Sequence, residues 1–591
     1  MVEQKSLSLQ KNLTIRLLRV LRYNKSRTER ALSLLPLENR PLFHVLPFLI
    51  HVNHPDLPGY VESPSNDVLV PFGINNYSFR KDIEMALTRC FPSLQSLFTD
   101  IKSIWPRQRC IDSLVLMGSI GTIAQTDTSD FDYWVCVNGK QFSPQSLDLL
   151  TQKLRAIEQW ADKKWGTEVH FFLSDIEKVK QNDFGVADGE SAGSAQALFL
   201  KAEFYSTNIV VAGKVPFWWL TPEKSTIKQY DGILGNLEKG GSPDLDWFMD
   251  LGHLEKLDAG ELFGAAIWQL GKAMDSPFKS LLKMAKLEVY LANIGSEQPL
   301  CNTLKKHVHL GSDAPGKVTD IDPYALMFNE LITHYTAYGQ PEDILILQQC
   351  LYLKCGCSLS QPLYEGETPN FKRRIMAAYA KSWGWSRKSL EHLDNIQQWN
   401  FNERVQLSRR IHRFLLKCYR RISSQLDGQT QIMDEKDMTV LGRRLSTFYG
   451  KKHNKVEFLR RAFDESLYCS TVTIAVRTLK NGDEIWTAYA GDKLSKSGII
   501  DKSQKISQAA NAVDLLVWCV ASRIIDTNTK IHLDYNYCEI SELDLNDLLK
   551  HLYALFPPVR VSALPRDDLL APERIMACMA LVNFPTLRQK P

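Results

Sequence analysis

The sequence predicts an α+β multidomain protein: a central mixed sheet with helices, a helical region after it, and a C-terminal α+β region. Three observations carry this. At 591 residues the chain is too long for one hydrophobic core and points to three or four domains. Its middle third has an almost wholly helical pattern, whereas the stretch before it alternates short apolar runs with helix-period segments. A strong hairpin signal then returns near the C-terminal end. The expected units are 1–95, an N-terminal helical region; 96–223, the sheet-bearing core; 224–437, the helical domain; and 438–591, the C-terminal α+β domain.

The elements follow in order. Leu13, Ile15, Leu17, Leu18 and Leu21 mix with Arg16, Arg19, Arg22, Arg27 and Arg30, which reads as an amphipathic helix with a basic solvated face packed on its own protein. The Pro- and Gly-containing stretch from His51 to Tyr60 is a connector. Ser113 to Met117 and Asp130 to Val137 are strands. Ser143-Pro144 supplies an N-cap and a first-turn proline for a helix that carries Leu147, Leu150, Leu154, Ile157 and Ala161 on one face and ends near Gly166. Thr167 to Leu173 is a third strand. A helix starts at Asp258, with Glu261 spaced for a capping box, and another follows Pro277. Farther on, Lys480-Asn-Gly-Asp483 joins the strands Thr471–Leu479 and Glu484–Tyr489. A helix from Ala509 to Ile525, a strand from Lys530 to Tyr537, a helix from Leu543 to Leu555, and strands near Val559 and Met579 complete the series.

Bulk properties exclude several classes. Lys and Arg (71) nearly balance Asp and Glu (67), so the formal charge of +4 does not mark a nucleic-acid binder. No run approaches the ~18–20 apolar residues of a membrane span. The polar start lacks a secretory h-region, and the 12 cysteines have no zinc-finger spacing and read as buried thiols. A cytoplasmic enzyme is the expectation.

The chemistry-bearing pattern is Leu114-Val-Leu-Met-Gly118-Ser119, ten residues, then Asp130-Phe131-Asp132. Residues two apart on a strand share a face, so Asp130 and Asp132 point together. Carboxylates that close call for a shared divalent cation or a raised pKa. The free N–H groups and hydroxyl of Gly118-Ser119 suit a phosphate, and Glu168 on the third strand is the candidate third acidic ligand. Mg²⁺ matches these hard oxygen donors, with Mn²⁺ an acceptable substitute. Two such ions would serve an attacking hydroxyl and a leaving pyrophosphate. Gly-Ser, a spacer, Asp-x-Asp and a later strand carboxylate together resemble the polymerase-β nucleotidyltransferase superfamily, so a core of that kind is expected.

A longer ordered series is similar to the bacterial class I adenylate cyclases. It includes His54-Pro55-x-x-Pro58-Gly59-Tyr60, Ser129-Asp130-x-Asp132-x-Trp134, Glu168-Val-x-Phe-Phe-Leu173, Gly193-Ser194-x-Gln196, Glu203-Phe204-Tyr205 and Ala212-Gly213-Lys214. It continues through Asp250-Leu251-Gly252, Phe263-Gly264 to Lys279 and Asp322-Pro323-Tyr324, with weaker similarity at Cys350 to Lys354. The resemblance implies conversion of ATP to 3′,5′-cyclic AMP and pyrophosphate. On it, Asp130, Asp132 and Glu168 are the catalytic and metal-binding residues; Gly118, Ser119, Ser194, Gln196, Lys214, Lys272 and Lys279 are the nucleotide-binding candidates. Ala197 and Ser206 depart from the family's His and Arg. Longer members continue into a regulatory region tied to the sugar phosphotransferase system; this chain stops before it, so that regulator is not carried over.

Three motifs read as decoys. Gly311 to Val318 imitates a phosphate-binding loop but lacks the Ser or Thr and a preceding strand. Trp218-Trp219 reads as buried packing and His170 as a satisfied strand histidine. The competing function is transfer of AMP to a separate RNA, protein or small-molecule acceptor.

Overall fold

The computed structural model describes residues 2–584, apart from 66–67, 185–196, 255–256, 258, 293–298, 312–317, 364–365, 367, 426–434, 453–454, 458, 460–466, 492–503, 535–539 and 583. It is α+β. The central sheet has four strands in the order β3-β2-β1-β4: β1 Ser113–Met117, β2 Phe131–Val137, β3 Val169–Asp175 and β4 Ile209–Gly213. β1 pairs antiparallel with both β2 and β4, and β3 lies parallel to β2. The parallel pair needs a crossover. Helix Pro144–Trp165 provides it, started by the Ser143 side chain accepting from Ser146 N and stopped at Gly166, whose φ of 59° suits glycine.

Strand alternation divides the sheet between two cores. Leu114, Leu116, Phe131, Tyr133, Val135 and Val137 pack on one side with helix Arg40–His51 and the apolar face of helix Pro144–Trp165. Val115, Met117, Trp134 and Cys136 face the other side, into a core that continues through helices Ala197–Thr207, Ala259–Lys272, Pro277–Ala292, Pro323–Tyr338 and Pro341–Cys355. Asp132 shares parity with Trp134 and Cys136, so it points under the helical region. Trp134 stacks on Phe204 there (ring centroids 4.4 Å). That core runs unbroken from Leu13 to Ile422, across residue 224.

The N-terminal helix, Val2–Leu34, differs from its expected solvated basic face at Arg16 and Arg30, which are half-buried, and most of all at Arg27. Arg27 is fully buried. Its guanidinium donates to the carbonyls of Gly121 (3.0 Å), Ile120 (3.0 Å) and Thr207 (3.1 Å), and to the Tyr23 hydroxyl (2.9 Å). A planar five-donor group satisfies several converging carbonyls at once, which outweighs its desolvation.

The C-terminal region has its own core and a second sheet in which the Thr471–Thr478/Glu484–Ala490 hairpin lies between strands Lys530–Asp534 and Lys505–Ala509. Asn511 caps helix Ala512–Ala521, so Ala509 ends a strand instead of beginning that helix. Ser541 and Asp544 form a capping box for helix Glu542–Leu555. Neither Val559 nor Met579 lies in a strand; β-branched and aromatic composition alone does not supply a pairing partner. Eleven described cysteines are free, all buried except Cys469 and Cys578. Among the described residues no helix is long and apolar enough to cross a membrane.

Arg27→Met removes charged hydrogen bonds to three buried carbonyls and is expected to cost about 3 kcal/mol in urea unfolding. A loss below about 1 kcal/mol would show that those carbonyls find other partners.

Candidate active site

Met117 of β1 lies opposite Asp132 of β2, so the chain leaving β1 at Gly118 turns directly beside that carboxylate. Gly118 has φ +97°, a region that penalises any side chain, and a Cβ there would sit 3.6 Å from Asp132 Oδ2. Its N–H donates to Thr207 Oγ1 (3.1 Å), whose hydroxyl donates to Glu203 O (2.8 Å). Ser119 Oγ lies 3.0 Å from Ser129 Oγ, which accepts from Thr126 N (2.9 Å).

The loop from Gly118 to Asp130 is held from outside the sheet. Asp322 caps helix Pro323–Tyr338 through Oδ1, and its Oδ2 accepts from Ile123 N (3.0 Å). Lys372 donates to Gln125 O (2.7 Å) and to Cys355 O (2.8 Å). With Arg27 on Ile120 and Gly121, three distant segments fix this loop.

Asp130 and Asp132 face a run of buried charge. Burial holds the Asp130 carboxyl above its ordinary range, with Glu168 adding to the push and Lys279 opposing it. Burial does the same to Asp132; Lys279 opposes it and Asp130 reinforces it. Lys279 is itself held above its usual range, first by Tyr324 and also by Glu203 and both aspartates, against the effect of burial. One turn along the same helix, Lys283 donates to both carboxylate oxygens of Glu203 (2.7 and 2.8 Å). Lys354, at the end of helix Pro341–Cys355, is pushed down to about 8 by burial and by Lys279.

Of the other candidates, Glu168 neighbours Asp130 across the β2–β3 pair and the rest lie elsewhere. Glu168 sits just before β3, its side chain 66% exposed, with Oε1 2.9 Å from His170 Nε2. Lys214 pairs with Asp112 (2.8 Å) beside the start of β1. That is four residues, about 13 Å, from the Met117–Asp132 end. Lys272 is exposed at the end of helix Ala259–Lys272, its ammonium 5.1 Å from the Trp268 ring centroid. A helix break at Ser276-Pro277 separates it from Lys279. Lys214 and Lys272 are therefore not brought to the aspartates. Ser194 and Gln196 lie outside the described residues, as does Asp258, the expected helix start. Gly311, at φ 73°, ends helix Leu300–Leu310; the rest of that decoy up to Lys317 lies outside the described residues. Trp218 and Trp219 are buried, Trp218 stacked on Tyr205 at 4.3 Å.

Glu203, Lys283, Tyr324 and Lys354 are residues of this site to which sequence reasoning assigned no role. One signal was present: Lys279, Lys283 and Lys286 are spaced four and three apart on an otherwise apolar helix, which puts three cations on one buried face.

Among the described residues no group of three or more His, Cys, Asp or Glu side chains is arranged to hold a metal ion. Asp130 and Asp132 still fit a divalent cation: they are hard oxygen donors two residues apart at the start of β2, both pushed toward the neutral form, a strain that a cation between them would relieve.

Models of known families match two stretches: "Adenylate cyclase NT domain" over residues 13–219 and "Adenylate cyclase, class-I, second domain" over 257–460. The chain belongs to the class I adenylate cyclase family. Curated adenylate cyclases are similar over most of it. That of Haemophilus influenzae is 27% identical over 92% of this chain and 63% of its own length, and that of Pasteurella multocida is 28% identical over 95% and 66%. That of Salmonella typhimurium is 30% identical over 73% of this chain and 49% of its own length. The chain thus spans about two thirds or less of the relatives it matches. No solved structure matches it significantly.

Gly118→Ala is expected to cost about 1–2 kcal/mol through its left-handed φ. The readout is faster amide exchange across residues 118–129, with exchange in the C-terminal sheet unchanged. Unchanged exchange in the loop would refute the strain.

Proposed function

We propose that this chain is an adenylate cyclase that converts ATP to 3′,5′-cyclic AMP and pyrophosphate, on a core of the polymerase-β nucleotidyltransferase kind. The observation that carries the proposal is the Asp130/Asp132 pair at the start of β2, Asp132 on its covered face and Asp130 just before the strand, set against Lys279, in a chain of this family. The 3′-oxygen of the ribose forms a bond to its own α-phosphorus, the bond from that phosphorus to the bridging oxygen breaks, pyrophosphate leaves and the hydroxyl proton goes to solvent. Asp130 and Asp132 would hold a pair of Mg²⁺ ions, or Mn²⁺ in their place. Bound there, the ions supply acidification of the attacking hydroxyl and neutralisation of the leaving group.

The chain's own residues orient and shield. Gly118 turns the chain beside Asp132 with a positive φ, which brings the following backbone toward the β- and γ-phosphates, while its own N–H is held by Thr207 Oγ1. Lys279 meets triphosphate charge from the helical side. Glu203 keeps Lys283 charged and in place, which leaves Lys279 for the substrate. Glu168, within hydrogen-bond distance of His170 at the rim, adds negative potential beside Asp130 and is not a direct ligand. In this reading 96–223 is the catalytic unit, 224–437 completes the nucleotide site, and 1–95 and 438–591 support them. The setting is cytoplasmic.

ATP labelled at the α-phosphate tests the proposal. Free cyclic AMP is expected; label retained on an RNA, protein or small-molecule acceptor would overturn it. Asp132→Asn is expected to lower kcat at least about 10³-fold, the scale lost when a transition-state electrostatic element is removed. Glu168→Gln is expected to lower it by less than about tenfold. Equal losses in the two variants would make Glu168 a ligand after all.

A further inference from the structure

Two lysines bear on Asp130 and a tyrosine hydroxyl lies beside one of them, all three without a hydrogen-bond or ion-pair partner among the described residues. Lys279 and Lys354 make no ion pair or hydrogen bond among the described residues, and the buried Tyr324 hydroxyl has no hydrogen-bond partner. Every other strongly buried lysine of the helical region is satisfied. Lys283 is paired with Glu203 and Lys286 with Glu330, while Lys305 donates to Thr221 Oγ1 (2.9 Å) and packs on the Trp218 ring. Lys279 is set against Glu203 and the two aspartates, whereas Lys354 has Asp130 alone to offset the repulsion of Lys279 and Lys372, so two largely desolvated ammonium groups side by side favour a further anion from outside the chain.

Lys354 is held there by construction. It is the penultimate residue of helix Pro341–Cys355, which Gly356 ends at φ 60°. The Gly356 position lies against Thr126 of the loop joining β1 and β2, with 3.8 Å from its Cβ direction to Thr126 Cγ2. Lys372 ties the carbonyl of Cys355 to that of Gln125, so the residue beside Lys354 is fixed to the loop. The charges that bear on Lys354 come from several elements: Lys279, Cys355, Asp130 and Lys372. Lys279 and Lys372 repel it, and Asp130 is the carboxylate that opposes them.

We propose that Lys354 is a substrate-binding residue that contacts the β- and γ-phosphates of the nucleotide, bringing a cation from the helical region to the loop that follows β1. The assignment rests on the cyclase reading for its substrate class, a nucleoside triphosphate. It makes the phosphate site a composite: backbone N–H groups from the sheet side, and Lys279 with Lys354 from the helical side. Lys372 is a positioning residue for Lys354.

Calorimetric titration of the full chain with inorganic tripolyphosphate, α,β-methylene ATP and AMP, each with Mg²⁺, tests the assignment. Lys354→Met is expected to weaken tripolyphosphate and the ATP analogue at least tenfold and to leave AMP within about twofold, since a single α-phosphate does not reach it. Lys354→Arg is expected to recover most of the affinity, because it keeps the charge. Three outcomes overturn the assignment: tripolyphosphate bound by Lys354→Met as by the unaltered chain, equal loss for all three ligands, or Lys354→Arg as weak as Lys354→Met. The cyclase reading fails separately. A chain that binds the ATP analogue through Lys354 but forms no cyclic AMP from ATP removes that reading alone, whereas cyclic AMP formed with Lys354→Met at unchanged KM removes the role of Lys354 alone.

Discussion

Two carboxylates at the start of a strand, Asp132 on its covered side and Asp130 just before it, are the constraint on which the rest of the site depends. Strand parity sends Asp132 with Trp134 and Cys136 into the core shared with the helical region, not to solvent. Burial raises both aspartates, with Glu168 adding to the push on Asp130 and Asp130 to that on Asp132, so a folded site must surround them with positive charge or a ligand. The helical region answers with lysines: Lys279 toward the aspartates, Lys283 locked on Glu203, and Lys354 beside Asp130. With the Glu203–Lys283 pair closed on itself, two carboxylates face two ammonium groups. A tetra-anionic triphosphate and two divalent cations would enter such a site without changing its net charge, which removes the main electrostatic penalty for burying them together.

The loop after β1 is where sheet and helices are made to agree. Gly118 turns with a positive φ, and beyond it the backbone is tied by Arg27 from the N-terminal helix, Asp322 from the cap of helix Pro323–Tyr338, and Lys372 from helix Phe371–Ser382. Each tie is a charged group bound to backbone N–H or C=O, the stronger class of hydrogen bond. The loop does not depend on its own side chains alone to hold itself in place; distant segments do much of it. Ser119 contributes from within, since its hydroxyl is engaged with Ser129.

Local patterns were legible in the sequence and long-range ones were not. The alternation of Phe131, Tyr133 and Val135 against Asp132, Trp134 and Cys136 exposes β2 and its two faces directly, and Ser143, Pro144 and Gly166 mark both ends of one helix. Lys214 and Lys272 looked equivalent to Lys279 because a lone lysine carries no record of its partner. Only the fold gives Lys214 to Asp112 and Lys272 to Trp268. Arg27 read as surface for the same reason: the carbonyls that justify its burial are contributed by residues 120, 121 and 207. Near Val559 and Met579 the composition favours a strand, but no neighbouring strand accepts the pairing.

The placement of the site also explains why its two sides are so far apart in sequence. The acidic side needs alternation, which a strand supplies within three residues, Asp130 to Asp132. The basic side needs long, extended cations approaching from above a face already filled by side chains. Helices packed on that face provide them at one-turn intervals, as Lys279 and Lys283 do. Neither element can supply both halves: a strand rich in lysine and aspartate would pair its charges internally, and a helix cannot present its backbone N–H groups laterally to a phosphate. Splitting the charges between a sheet and a helical layer keeps each half unsatisfied until the layers close. It also ties the geometry of the site to the same apolar core, from Leu13 to Ile422, that holds the two layers together.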